Sequence, residues 1–148
     1  MAKVLKGPPF SIRLSKPTET YVEAEARRTR RSKSAVVEDL TEEAARMRRY
    51  PGIEFIQAGD GTRRARLRGT GMYVWLTLQL LEDLYGNSID DMVADYDLLT
   101  KQHLQLALAY YSEYPDEIDE PMAENRRPVE ERRELYPFIQ VEYFDAAS

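Results

Sequence analysis

Apolar and polar side chains alternate at the start of the chain, where Phe10, Ile12 and Leu14 are separated by Ser11 and Arg13. A period of two puts the apolar three on one face of an extended segment, so a short strand is predicted there. The pattern then changes. Pro17 suits the first turn of a helix, and residues 21–29 read as a short helix whose thin apolar stripe includes Val22 and Ala26, four apart. Ser32 or Ser34 is a fitting N-cap for a second helix that carries Val36, Val37, Leu40, Ala44 and Met47 on one face. Tyr50, Pro51 and Gly52 end that run, because proline and glycine both interrupt helices.

The second stretch begins with Ile53, Phe55 and Ile56, turns at Gly59, Asp60 and Gly61, and continues as RRARLRGTG over residues 63–71. Two short strands joined by a turn are predicted. Helical spacing follows: Val74, Leu78, Leu81 and Tyr85 share a face, Gly86 and Asn87 end the helix, and Ser88 can cap the next, with Ile89, Met92, Val93 and Tyr96. Thr100 can cap a third helix with Leu104, Ala107, Leu108 and Tyr111 inward. Three short helices with tight connections imply a helix-turn-helix-like bundle. From Tyr114 and Pro115 onward the chain reads as an acidic tail interrupted by Pro121, Pro128 and Pro137.

Charge divides along the same lines. The net charge is −5, yet residues 1–50 hold 12 Lys/Arg against 7 Asp/Glu, while residues 51–148 hold 9 against 19. A basic part that meets phosphate and an acidic part that meets something else are expected from such a split. From Glu113 onward 11 acidic residues face 4 arginines, but the tail ends in Leu135, Tyr136, Phe138, Ile139, Val141, Tyr143 and Phe144. Exposed apolar clusters seek a surface, so this end is expected either to bind a partner or to pack back as a strand on the middle module. With 148 residues, 43% of them hydrophobic, the chain can bury one ordinary core, or two small ones if oligomerisation completes the smaller. It has no cysteine, which excludes disulfides and thiolate metal sites and makes a reducing cytoplasm the expected compartment. MAKVLKGPPF has no apolar stretch of signal-peptide length, and no segment approaches a membrane span.

Residues 9–49 resemble the ribbon-helix-helix family in FSIRLS, the short helix after it, RRSKS and VVEDLTEEA. The resemblance implies a mainly α fold with a short N-terminal β-ribbon, formed when two copies pair their strands antiparallel in a dimer. It also implies that polar strand positions, here Ser11, Arg13 and Ser15, read base edges in operator DNA. The start of the second helix, here Ser32, Lys33 and Ser34 beside Arg30 and Arg31, would hold a phosphate. Physical chemistry agrees with these roles: arginine gives guanine a bidentate pair of hydrogen bonds, and a helix N-terminus presents free N–H groups to an anion. The family usually has glycine or asparagine between its helices, whereas this chain has Thr29, Arg30 and Arg31.

Residues 50–119 resemble the family called domain of unknown function 433, through YPGIEF, RLRGTGMYVW, SIDDMVADY and LTKQHLQLALAYYSEYPDEID. Members are common in antitoxins and often neighbour a PIN-like ribonuclease toxin, so such a toxin is the implied partner. In antitoxins generally the C-terminal segment wraps the toxin. The expected organisation is therefore a DNA-binding, dimerising domain over residues 1–50, a hairpin-and-three-helix module over 51–115, and a toxin-binding tail over 116–148. The expected function is an antitoxin that represses its own operon. The alternative is a stand-alone repressor whose C-terminal part binds a ligand or only oligomerises.

Other chemistry finds little footing. RGTG lacks the lysine and spacing of a phosphate-binding P-loop, so a structural turn at Gly69 and Gly71 is expected. Arg63, Arg64, Arg66 and Arg68 fit a DNA or toxin surface and a half-exposed strand equally well. His103 is the only histidine and has no second to share a metal; a surface position is expected. Asp90 with Asp91, and Asp95 with Asp97, suit helix capping and solubility better than a metal centre. No nucleophile, cofactor motif or metal-ligand set stands out, and no enzymatic role is expected.

Overall fold

The computed structural model describes residues 5–135 and Pro137. The chain divides between Arg46 and Met47 into two compact units.

The first unit holds helix α1 (Lys16–Thr29) and most of α2 (Lys33–Arg49). Helix α1 begins five residues before the predicted start at residue 21, because Pro17 occupies its first turn and the Glu19 N–H closes onto the Ser15 carbonyl. It ends on Arg30, whose backbone is left-handed at φ 55°, with the Arg31 N–H bonded back to the Ala26 carbonyl at 3.1 Å. Of the two cap candidates it is Ser32 that starts α2: its hydroxyl oxygen accepts the Ala35 N–H at 3.1 Å. Lys33 on α2 reaches Glu19 and Glu23 on α1, both at 3.4 Å. Val22 on α1 and Val36 on α2 are buried. They are the only buried apolar residues described in this unit. The expected strand over residues 10–14 belongs to no sheet among the described residues, which offer it no strand of this unit to pair with.

The second unit opens with an antiparallel sheet of β1 (Ile53–Gln57), β2 (Arg63–Leu67) and β3 (Met72–Tyr73), in that order. The hairpin is as predicted, and β3 adds a third strand. Pairing of Ile53 with Leu67, Phe55 with Ala65 and Leu67 with Met72 gathers the apolar side chains on one face. Glu54, Arg64, Arg66 and Tyr73 fall on the other by alternation. Asp60 shapes the first turn by accepting both the amide N–H and the hydroxyl of Thr62. In the second turn, Thr70 donates its hydroxyl to the Leu67 carbonyl and accepts the Met72 N–H, with Gly69 and Gly71 at positive φ. RGTG is thus a hairpin turn.

Helices α3 (Val74–Tyr85), α4 (Ile89–Asp95) and α5 (Lys101–Glu113) follow, capped by the residues their sequence suggests. Gly86 and Asn87 both take left-handed backbone after α3, Ser88 accepts the Asp91 N–H, and Thr100 accepts the His103 N–H. Two expectations need correction. Of the α5 side chains expected inward, Leu104 and Ala107 are buried and Tyr111 packs half-buried against the core, but Leu108 is 41% exposed and Tyr110 is the one fully buried instead. The chain after Tyr114 also does not begin a separate tail. Pro115 opens α6 (Pro115–Asn125), which lies against α3 and α5 and buries Ile118 and Met122 in the same core. Helix α6 runs through Pro121, whose ring is buried among these side chains; packing outweighs the lost backbone bond. Helix α7 (Val129–Leu135) ends the described chain apart from Pro137.

Candidate nucleic-acid interface

Phe10 is 84% exposed and Ile12 54% exposed, an unusual state for two large apolar side chains on a two-residue repeat. They border a groove of about 1040 Å³ whose lining includes Arg13, Lys33, Val37 and Thr41. Val37 is half-buried and Leu40 is 38% exposed, so apolar surface lies open on α2 as well.

The expected DNA-contacting residues separate into two sets. Ser11, Arg13, Arg30 and Ser34 are exposed, and no side-chain hydrogen bond or ion pair among the described residues engages them. Their polar atoms face water. The others are committed within the chain. Ser15 donates to the Thr18 hydroxyl at 2.9 Å, Ser32 caps α2, and Arg31 pairs with Asp39. Hydrogen bonds from Lys33 to Glu23 and Glu19 raise its ammonium pKa above the ordinary lysine value. Exposed pairs of this kind contribute little stability, so a phosphate could displace them at small cost. Arg27 and Lys16 add exposed positive charge.

The second unit distributes its arginines otherwise. Arg66 pairs with Glu54 at 2.7 Å across β1 and β2, and Arg64 lies 3.7 Å from Asp60. Arg63 donates to the Phe55 carbonyl at 3.2 Å, and Arg68 is exposed. Much of this strand's charge is therefore spent on the sheet itself. Between a binding surface and a half-exposed strand, these pairings favour the strand.

His103, expected on the surface, is half-buried and acts on its own helix, where its Nδ1 accepts the Thr100 N–H at 3.0 Å and completes a capping box. A histidine in the place usual for glutamate gave no signal in the sequence. Also missed was the cluster around Glu113, whose carboxylate accepts from Tyr50 and Arg49 while the rings of Tyr50, Tyr110 and Tyr114 pack edge to face or tilted. The Tyr50 hydrogen bond, with Arg49 beside it, holds the Glu113 carboxyl below the ordinary carboxylate range.

Among the described residues no group of three or more His, Asp or Glu side chains is arranged to hold a metal, and no helix is long and apolar enough to cross a membrane. Of the partner-binding residues expected in the tail, Leu135 is 52% exposed, and Tyr136, Phe138, Ile139, Val141, Tyr143 and Phe144 lie outside the described residues. No curated protein and no solved structure matches the chain. Residues 62–111, running from the start of β2 to the last turns of α5, match the family described as Protein of unknown function (DUF433), and this similarity covers about a third of the chain.

Proposed function

We propose that the chain is an antitoxin that dimerises and binds operator DNA through residues 10–34 and captures a toxin through its acidic second half. One observation carries the reading. A unit whose described residues bury only Val22 and Val36, while Phe10 and Ile12 stand in water, is short of the core that an independent domain needs. A second copy supplies what is missing. Two antiparallel segments at residues 10–14 would satisfy each other's backbone groups, cover Phe10, Ile12 and Leu14, and turn Ser11 and Arg13 outward as a two-stranded ribbon of the width the major groove admits.

The left-handed Arg30 fits the same reading. Ribbon-helix-helix proteins usually have glycine or asparagine between their helices, and here arginine adopts the backbone those residues favour. Toxin capture rests on separate support: the similarity of residues 62–111 to DUF433 and the association of that family with toxin–antitoxin loci. A PIN-like ribonuclease with a basic RNA-binding cleft would suit the acidic second half.

The experiment is a titration of the full chain against the DNA upstream of its own reading frame, in parallel with co-purification of the product of the adjacent frame. Sequence-specific, salt-dependent DNA binding together with a stable complex is expected. Failure to bind that DNA, with the chain folded, would overturn the repressor reading, and absence of any complex would overturn the antitoxin reading.

A further inference from the structure

Helices α3, α5 and α6 enclose an open cleft of about 500 Å³ in the second unit. Its floor is apolar: Leu78 and Leu81 come from α3, Leu108 from α5 and Met122 from α6. Leu108 is 41% exposed there, whereas Leu81 and Met122 are nearly covered, so the cleft ends in a seat with one apolar wall in water. The rim is polar, with Glu82, Asp119, Arg126, Asn87 and Tyr111. Arg126 reaches Glu82 at 3.2 Å and Asp83 at 2.6 Å, and the Tyr111 hydroxyl donates to Oδ1 of Asp119 at 2.7 Å. These bonds leave Oδ2 of Asp119 and Oε1 of Glu82 with no donor among the described residues.

We propose that this cleft is a docking site for a basic amphipathic helix of a partner protein. Three observations select that occupant. The four-residue floor is large enough for one or two apolar side chains at helical spacing, which is how helix-in-groove recognition anchors. The Glu82 and Asp119 carboxylates beside it are exposed, where lysine or arginine flanking the apolar anchors can pair with them. The half of the chain that carries the cleft holds 19 Asp/Glu against 9 Lys/Arg, so a cationic helix is drawn towards it and an acidic one repelled. The inference stands on this unit alone and does not require the repressor reading.

The test uses the full chain and a fluorescein-labelled leucine–lysine peptide with leucines at helical spacing, followed by fluorescence anisotropy at physiological salt. A leucine–glutamate peptide of the same spacing is the control. Saturable binding of the basic peptide alone is expected, weakened about tenfold or more by Leu108→Glu and by Asp119→Lys. Ala123→Arg, which fills the cleft from an exposed position, should do the same and serves should Leu108→Glu fail to fold. The inference is overturned if Ala123→Arg, or a folded Leu108→Glu, leaves affinity within about twofold while Asp119→Lys lowers it, since attraction would then be diffuse charge. It is overturned equally if the acidic peptide binds as well, or if neither peptide binds. Ser11→Ala and Arg13→Ala lie in the other unit and should leave peptide affinity unchanged.

Discussion

The amide N–H of Arg31 donates to the carbonyl of Ala26, five residues back, and it reaches there because Arg30 between them takes left-handed backbone at φ 55°. An L side chain at such a φ is strained by about 1–2 kcal/mol relative to right-handed backbone, and glycine is not. The strain sits where α1 hands over to α2, within the segment proposed to face DNA. Arg30→Gly should therefore have two effects of opposite sign. Stability should rise by about 0.5–1 kcal/mol, a few degrees in melting temperature, while DNA affinity falls. Thermal melts and DNA titration of the same variant check both.

Arg13 tests base reading. Its guanidinium is exposed and engages no described side chain, so Arg13→Ala should leave the fold intact. Operator affinity should drop by about 1–3 kcal/mol with relaxed preference at the contacted base, as for loss of a bidentate arginine–guanine pair, and toxin capture should persist. Binding to operator and scrambled duplexes at matched salt separates loss of specificity from loss of charge.

Glu113 gives the pH dependence. Its carboxyl titrates below the ordinary range because Tyr50 and Arg49 favour the charged form. A carboxyl with a depressed folded pKa contributes stability above its unfolded pKa, and that contribution is lost as the pH falls through the folded value. Tyr50→Phe removes the largest cause. The variant should be less stable than the parent near neutrality and lose less on acidification, which denaturant unfolding across the acid range measures.

The capping box at α5 predicts a graded result. His103→Ala removes the acceptor for the Thr100 N–H and should cost about 0.5–1 kcal/mol. His103→Gln retains an acceptor of similar reach and should cost less. Unfolding curves of the two variants against the parent decide it; equal costs would show that the ring contributes by packing.

The residues also explain which parts of the fold were legible in the sequence. Caps were, because Ser88, Thr100, Gly86 and Asn87 act on backbone within a few positions of themselves. The first hairpin was, because turn and alternation are both local. Helix α6 was not: Pro121 signals a break, and only the packing of Ile118 and Met122 onto the core carries the helix through it. The pairing of Arg66 with Glu54 needed the strand register, and the shift from Leu108 to Tyr110 needed the orientation of α5 against its neighbours. The segment at residues 10–14 is the extreme case. Its pattern asks for a strand partner that the described residues of one copy do not supply.

Sedimentation equilibrium of the full chain, beside Ile12→Asp, tests that last point most directly. The expected mass is at least twice the 17.2 kDa of the chain for the parent, and about that of one chain for the variant, with the second unit still folded. A parent that sediments as a single chain, or a variant whose mass does not change, would contradict dimerisation through this segment.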